Sequence, residues 1–245
     1  MTAAFDHAWA AVTDVDGWMT RGQAQALFEA AASCPPGGTI VEIGSFRGRS
    51  TIVLASACPA DATVMAIDPH AGNDRGPQEI EGYEAEANQD HDAFLRNVAT
   101  AGVADRVTHL REFSDDALDH IDGTIDVLYV DGAHRYAPAK RDIEQYGNRV
   151  REGGTMLIHD GFSSIGVTAA ILRRLVWSSR WSYEGRSRSL TIYRATGDVG
   201  RLQNAARQLA QLPWFAKNLA LKVALTAGLG TVLRRLGRDA PEWPY

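Results

Sequence analysis

The sequence predicts an α/β domain: a doubly wound, mostly parallel, seven-stranded sheet with a C-terminal helical extension. Three observations carry this expectation. Strand-like and helix-like segments alternate from about residue 38 to residue 195. The strands are near-continuous apolar runs, the pattern of a parallel sheet covered on both faces. Glycine, proline or aspartate bounds the runs, as turns require.

The elements follow in order. Residues 20–32 read as a capped helix ahead of the sheet, with Leu27 and Phe28 facing in. Residues 39–43, after Pro35-Pro36-Gly37-Gly38, are the first strand, and residues 49–57 the helix behind it. The second strand, 63–67, ends at Asp68-Pro69. A helix over 90–101 carries Phe94, Leu95, Val98 and Ala101 at helical spacing and is closed by Gly102. Residues 106–110 form the third strand, 116–121 a short helix, and 125–130 the fourth strand after Asp122-Gly123. Pro138 stands in the first turn of a helix over 138–150. Residues 155–158 are the fifth strand and 165–177 the next helix. Residues 181–184 and 189–194 close the sheet as a hairpin with its turn at 185–187. The chain therefore divides into an N-terminal helical segment (1–37), the sheet domain (38–196) and an extension (197–245).

Composition bounds the function. With 245 residues, 45% hydrophobic and 22% charged, the chain suits one soluble domain with appendages, not a disordered, collagenous or coiled-coil protein. A net charge of −5 argues against nucleic acid as a partner. Cys34 and Cys58 belong to no CxxC, so a zinc ribbon is excluded and two reduced buried thiols are expected. The N-terminus lacks a basic region followed by an apolar run, and no segment reaches the roughly 18 apolar residues of a spanning helix, so a cytoplasmic protein is expected. Residues 201–245 hold seven Lys/Arg against two Asp/Glu, which marks the tail as a separate unit. Pro213 divides it into two helices, the second basic and amphipathic over 213–238. Three roles stay open for it: packing on the sheet domain or on a second copy in a homo-oligomer, peripheral contact with the inner membrane surface, or binding of another protein.

Ligands of open α/β sheets bind beyond the carboxyl ends of the strands. After the first strand, Gly44 and Gly48 allow a tight turn that leads directly into a helix N-terminus. The spacing is GxxxG with Glu42 two residues ahead, which departs from the GxGxxG of nicotinamide sites. Asp68 ends the second strand, where an acid can accept hydrogen bonds from both ribose hydroxyls or simply shape the turn before Pro69. Glycine turn and acid together make a nucleoside site.

ExGxxxGxS at 42–50, Asp68, the DGxHxY of 131–136 and the His-Asp of 159–160 resemble class I S-adenosylmethionine-dependent methyltransferases. Within that class the chain resembles small-molecule O-methyltransferases of the macrocin O-methyltransferase-like and catechol types, over about residues 17–195. The resemblance implies S-adenosyl-L-methionine as cofactor. It implies Gly44 and Ser45 near the methionine portion, Asp68 on the ribose and Ser114-Asp115 near the adenine, with Glu42, Gly48, Ser50 and Asp131 completing the cofactor site. Asp115 has a second reading as the N-cap of the helix that follows.

If the fourth and fifth strands are neighbours, their ends lie about 5 Å apart and Asp131 and Asp160 converge. Two carboxylates with room between them suit a hard divalent cation, Mg²⁺ before zinc. In related metal-dependent members two adjacent acids end this strand; here His159 replaces the first and becomes a third candidate ligand. The metal-free alternative is that Asp131 shapes a turn and Asp160 packs against a basic residue. A sugar hydroxyl is a very weak acid, so its methylation needs a base, a metal or both. His134 is the expected base, His159 the competing one, and Tyr136 a hydrogen-bond donor in the same loop.

The sequence thus predicts divalent-metal-assisted O-methylation of a small hydroxylated acceptor, saccharide first and phenol or catechol second. The alternatives are a non-catalytic nucleotide-binding or membrane-recruited scaffold of the same fold and, more distantly, a nicotinamide dehydrogenase. Residues 70–90, long and acidic, read as a lid or a solvated insertion.

Overall fold

The structure, a computed structural model, describes residues 2–71, 84–197 and 199–226. Helices α1 (Thr2–Ala11) and α2 (Arg21–Ala32) lead into β1 (Thr39–Ile43), α3 (Arg49–Ala57) and β2 (Thr63–Ile67). Then come α4 (Glu84–Thr100), β3 (Val107–Leu110), the one-turn α5 (Ser114–Ala117), β4 (Ile125–Val130), α6 (Tyr136–Arg149) and β5 (Val150–Ile158). Helix α7 (Ile165–Arg174), the hairpin β6 (Trp181–Ser187) and β7 (Leu190–Ala195), α8 (Arg201–Leu209) and α9 (Leu212–Thr226) complete the described chain.

The sheet has seven strands in the order β3-β2-β1-β4-β5-β7-β6. The first five pair in parallel, and β7 runs antiparallel to both β5 and β6. The strand order reverses between β1 and β4, where such sheets open a crevice. Alternate strand residues feed two cores. Ile40, Val64, Val127 and Tyr129 join Phe5, Leu27, Leu54 and Phe94 on one face. Val41, Leu128, Met156 and Ile158 join Ile143, Tyr146, Val167 and Ile171 on the other. The N-terminal helices therefore seal one face of the sheet. Thr20 caps α2 through the reciprocal bonds of a capping box with Gln23.

Several boundaries move from expectation. The hairpin turns beyond Ser187, because Gly185 lies inside β6 where the register shifts, a bulge that a strand glycine accommodates. Strand β5 begins five residues early, at Val150, which pairs with Ile125. Helix α4 begins at Glu84, so the expected loop is shorter; residues 72–83 of the lid reading lie outside the described residues. Helix α5 begins at Ser114 with Phe113 at its N-cap, so Asp115 sits in the first turn and is not the cap. Cys34 and Cys58 are free and buried.

The tail docks on its own domain as far as it is described. Asn204 in α8 holds the β6 backbone, accepting from Tyr183 N at 2.8 Å and donating to Trp181 O at 2.9 Å. In α9, Trp214 and Phe215 pack against the second core, and the Arg186 guanidinium stacks 3.9 Å above the Trp214 ring. No described helix is long and apolar enough to cross a membrane. Residues 227–238 of the membrane-surface reading lie outside the described residues.

Candidate active site

Register builds the site. Ile67, Ile43, Val130 and Ile158 align across β2, β1, β4 and β5, so Asp68, Gly44, Asp131 and His159 form one row beyond the carboxyl ends. Backbone bonds extend the ladder through that row: Gly44 N to Ile67 O, Asp131 N to Ile43 O and His159 N to Val130 O, at 2.8, 2.8 and 2.9 Å.

On the β1–β2 side stand the expected nucleoside residues. Asp68 accepts hydrogen bonds from the backbone of Phe46 through Oδ2 and of His70 through Oδ1, each at 2.8 Å, which fixes the carboxylate at the crevice. Gly44 has φ +90°, and a Cβ there would stand 2.2 Å from the Asp131 carbonyl oxygen. The glycine is thus demanded by the backbone of the β4 loop, and not only by an approaching ligand. Gly48 starts α3 as its N-cap. The Ser45 hydroxyl is buried within the turn and has no hydrogen-bond partner among the described residues, which suits a polar ligand at this helix N-terminus.

Glu42 and Ser50 support the turn from beneath. Glu42 is fully buried, and its carboxyl accepts from the Ser50 and Thr51 hydroxyls of α3. Burial raises its pKa to about 8 against the opposing effect of these two bonds. A carboxyl raised in the folded state favours folding below its unfolded pKa and loses that contribution as pH rises through the folded value. Glu42's contribution to stability should therefore fall between about pH 4.5 and 8. Glu42→Gln should flatten that slope, measured as Tm against pH.

Behind Asp68, the buried His70 ring contacts His109, Nε2 to Nε2 at 3.2 Å. Burial lowers both, His109 to about 4, so the pair is neutral and shares one hydrogen bond. At the expected adenine edge, the Ser114 hydroxyl donates to Asp142 at 2.6 Å and Asp115 pairs with Arg141 at 3.0 Å. Burial raises Asp142 to about 6.

On the β4–β5 side the register corrects one expectation. His159, not Asp160, stands opposite Asp131, with Nδ1 3.0 Å from Asp131 Oδ1 and 3.8 Å from Asp160 Oδ1. An imidazole thus lies between the two carboxylates expected to share a cation. Asp160, one residue further on and at φ +55°, turns away to His134, whose Nε2 lies 3.0 Å from Asp160 Oδ2. The expected basic partner of Asp160 is therefore His134. Burial alone would raise the Asp160 carboxyl, but the His134 hydrogen bond and the charges of His159, His134 and Lys222 bring it down to about 2. Tyr136 is half-exposed at the start of α6.

Three residues absent from the expectation complete the site. The Tyr129 hydroxyl donates to Asp131 Oδ2 at 2.9 Å; the tyrosine lies inside a fully buried strand and reads as core in the sequence. Lys222 of α9 donates to the Ser163 carbonyl and hydroxyl at 3.2 and 3.4 Å, which ties the extension to the loop after β5. Gly166 opens α7 against the loop after β4: a Cβ there would stand 2.2 Å from the His134 carbonyl oxygen. Gly166→Ala should cost about 1–3 kcal/mol in denaturant unfolding, as overpacking does, and should lower turnover by displacing His134. Asp131, His134 and His159 line a small, shallow depression.

Residues 41–161 match the model of a methyltransferase domain family. The chain carries a methyltransferase domain. The sheet order is that of the Rossmann-like methyltransferase fold. The chain is 29% identical over 127 residues to the uncharacterized protein R132 of Acanthamoeba polyphaga mimivirus; the match takes in 50% of this chain and 51% of that protein. The chain thus spans about half the length of that curated relative. Among solved structures it shares its fold with the O-methyltransferase NovP, at TM-score 0.57 and 18% identity, over 72% of this chain and 80% of that one. It also shares its fold with TomG from Streptomyces achromogenes, an O-methyltransferase of tomaymycin synthesis solved in complex with S-adenosylmethionine. There the TM-score is 0.56 at 20% identity, over 79% of this chain and 90% of that one.

Proposed function

We propose that this methyltransferase methylates a hydroxyl oxygen of a small molecule, a saccharide before a phenol, and that His134 takes the hydroxyl proton. The observation that carries this reading is the 3.0 Å contact of His134 Nε2 with the buried Asp160 carboxylate at the mouth of the strand-end row. S-adenosylmethionine supplies an electrophilic methyl group on a sulfonium. Asp68 would hold its ribose, and Ser45 with the α3 N-terminus its polar tail.

The protein's own task is then to orient and deprotonate the acceptor. As the acceptor oxygen bonds to the methyl carbon, the carbon–sulfur bond breaks with its electron pair going to sulfur, and the hydroxyl proton passes to His134. Asp160 accepts from Nε2–H, fixes the tautomer that leaves the Nδ1 lone pair free, and stabilises the imidazolium that forms. The charge of Asp160 persists at neutral pH because its pKa sits near 2. Positioning of the two reactants supplies much of the remaining acceleration.

Mg²⁺ assistance, expected from paired carboxylates, fits the donor set poorly. His159 occupies the space between Asp131 and Asp160, and Mg²⁺ favours oxygen ligands in near-ideal octahedral order. No step is assigned to it. The saccharide preference rests on the resemblance to sugar O-methyltransferases and on the need of a weakly acidic hydroxyl for a positioned base. The test is a transfer screen with isotopically labelled S-adenosylmethionine across saccharides and phenols in excess chelator, with the methyl located by NMR. The reading expects an O-methyl saccharide; methyl transfer to nitrogen or carbon would overturn it.

A further inference from the structure

The turn that carries Asp160 is strained backbone. Asp160 and Phe162 both have positive φ, +55° and +57°. An aspartate tolerates this left-handed region, but a bulky phenylalanine there is an outlier. Such residues persist only where their surroundings over-determine them. Three side chains hold this turn. Phe162 is fully buried and packs edge-on to Tyr183, ring centroids 6.3 Å apart. The Ser164 hydroxyl donates to the His134 carbonyl at 3.3 Å, so the turn also meets the backbone of the proposed base. Between them the buried Ser163 accepts from Lys222 through its carbonyl and its hydroxyl, at 3.2 and 3.4 Å.

The Lys222 contact comes from outside the sheet domain. Lys222 stands on α9, which docks through Trp214 and Phe215 on the second core and beneath the Arg186 guanidinium. Its ammonium therefore arrives on a helix already fixed one end to the sheet. Inside the turn, the Ser163 and Ser164 N–H groups both donate to the Asp160 carbonyl, at 3.1 and 2.9 Å. A shift of Ser163 is thus passed directly to Asp160. The Lys222 charge also acts on Asp160, joining those of His159 and His134 in holding its carboxyl ionised.

We propose that Lys222 is a positioning residue for methyl transfer: the C-terminal extension supplies the cation that holds the 160–164 turn, and with it the Asp160–His134 pair, in working geometry. This rests on the reading of His134 as the base. Lys222 acts through Ser163 and Asp160 and is assigned no contact with cofactor or acceptor. The extension is then a part of the active site and not an appendage beside it.

The experiment uses the full-length protein and the acceptor that the transfer screen identifies. Lys222→Met keeps the length of the side chain and removes its charge and its donors. It should lower kcat by roughly 10–10²-fold, the cost of a small misplacement of a reacting group, with the KM for acceptor and the affinity for S-adenosylmethionine near wild type. Lys222→Arg, which restores charge and donors, should recover most of that loss. Lys217→Met removes the same charge from an exposed position of the same helix and should leave kcat unchanged. A readout free of cofactor and acceptor is the ring ¹⁵N spectrum of His134, assigned with His134→Ala. Wild type should show the Nε2–H tautomer alone, and Lys222→Met a mixture, as should Asp160→Asn. An unchanged kcat and tautomer in Lys222→Met would overturn the proposal. So would no recovery in Lys222→Arg, an equal loss in Lys217→Met, or a loss of S-adenosylmethionine affinity as large as the loss of kcat. A tautomer that responds to Lys222 in a protein that transfers no methyl group would contradict the methyltransferase reading and leave the link from Lys222 to His134 standing.

Discussion

His134→Ala should lower turnover by roughly 10²–10⁴-fold, the usual contribution of a positioned general base, while S-adenosylmethionine affinity stays near wild type. The expectation follows from place. His134 is held through Nε2 by a buried carboxylate and lines the depression beside Asp131, with one fifth of its side chain exposed. A hydroxyl is so weak an acid that losing its proton acceptor is felt in the chemical step, not in cofactor binding. Asp160→Asn should lower turnover in the same direction, since the amide neither charges nor fixes the same tautomer. His159→Ala is the control. A large loss there, with less than about a threefold change for His134→Ala, would assign the base to His159 instead.

Asp68→Ala should weaken S-adenosylmethionine by about 10²–10⁴-fold. Two ribose hydroxyls lose a charged acceptor, at about 1.5–3 kcal/mol for each bond. The carboxylate also organises the glycine turn by accepting from Phe46 N and His70 N, so Asp68→Asn, which keeps one acceptor oxygen, should fall between wild type and alanine. Calorimetric titration of the three proteins checks the order. Equal affinities in folded proteins would place the ribose elsewhere. Gly44 is a poorer probe, because any side chain there meets the Asp131 carbonyl before it meets a ligand.

The sheet was legible in the sequence because parallel strands are buried on both faces and read as unbroken apolar runs between glycine and aspartate turns. The identity of the strand-end residues was legible for the same reason: Gly44, Asp68, Asp131 and the His159-Asp160 pair each follow such a run directly. Their mutual arrangement was not. Which residue stands opposite Asp131 depends on the Val130–Ile158 register, a long-range pairing with no local signal. One residue of register put His159 where a carboxylate was expected and sent Asp160 to His134. Tyr129 looked like core because it is core, and only its hydroxyl reaches the site. Gly166 resembles any residue at a helix start until the His134 carbonyl packs against it. The basic tail stood out by charge, yet nothing in its composition says that Lys222 reaches Ser163.

The most direct measurement is a calorimetric titration of the wild-type protein with S-adenosylmethionine, set beside titrations with S-adenosylhomocysteine and NAD⁺. The row of Gly44, Asp68 and Asp131, with the Ser45 hydroxyl buried in the turn, predicts one site per chain for both sulfur ligands and no measurable heat with NAD⁺. Absence of binding to both sulfur ligands, or tighter binding of NAD⁺, would contradict the account.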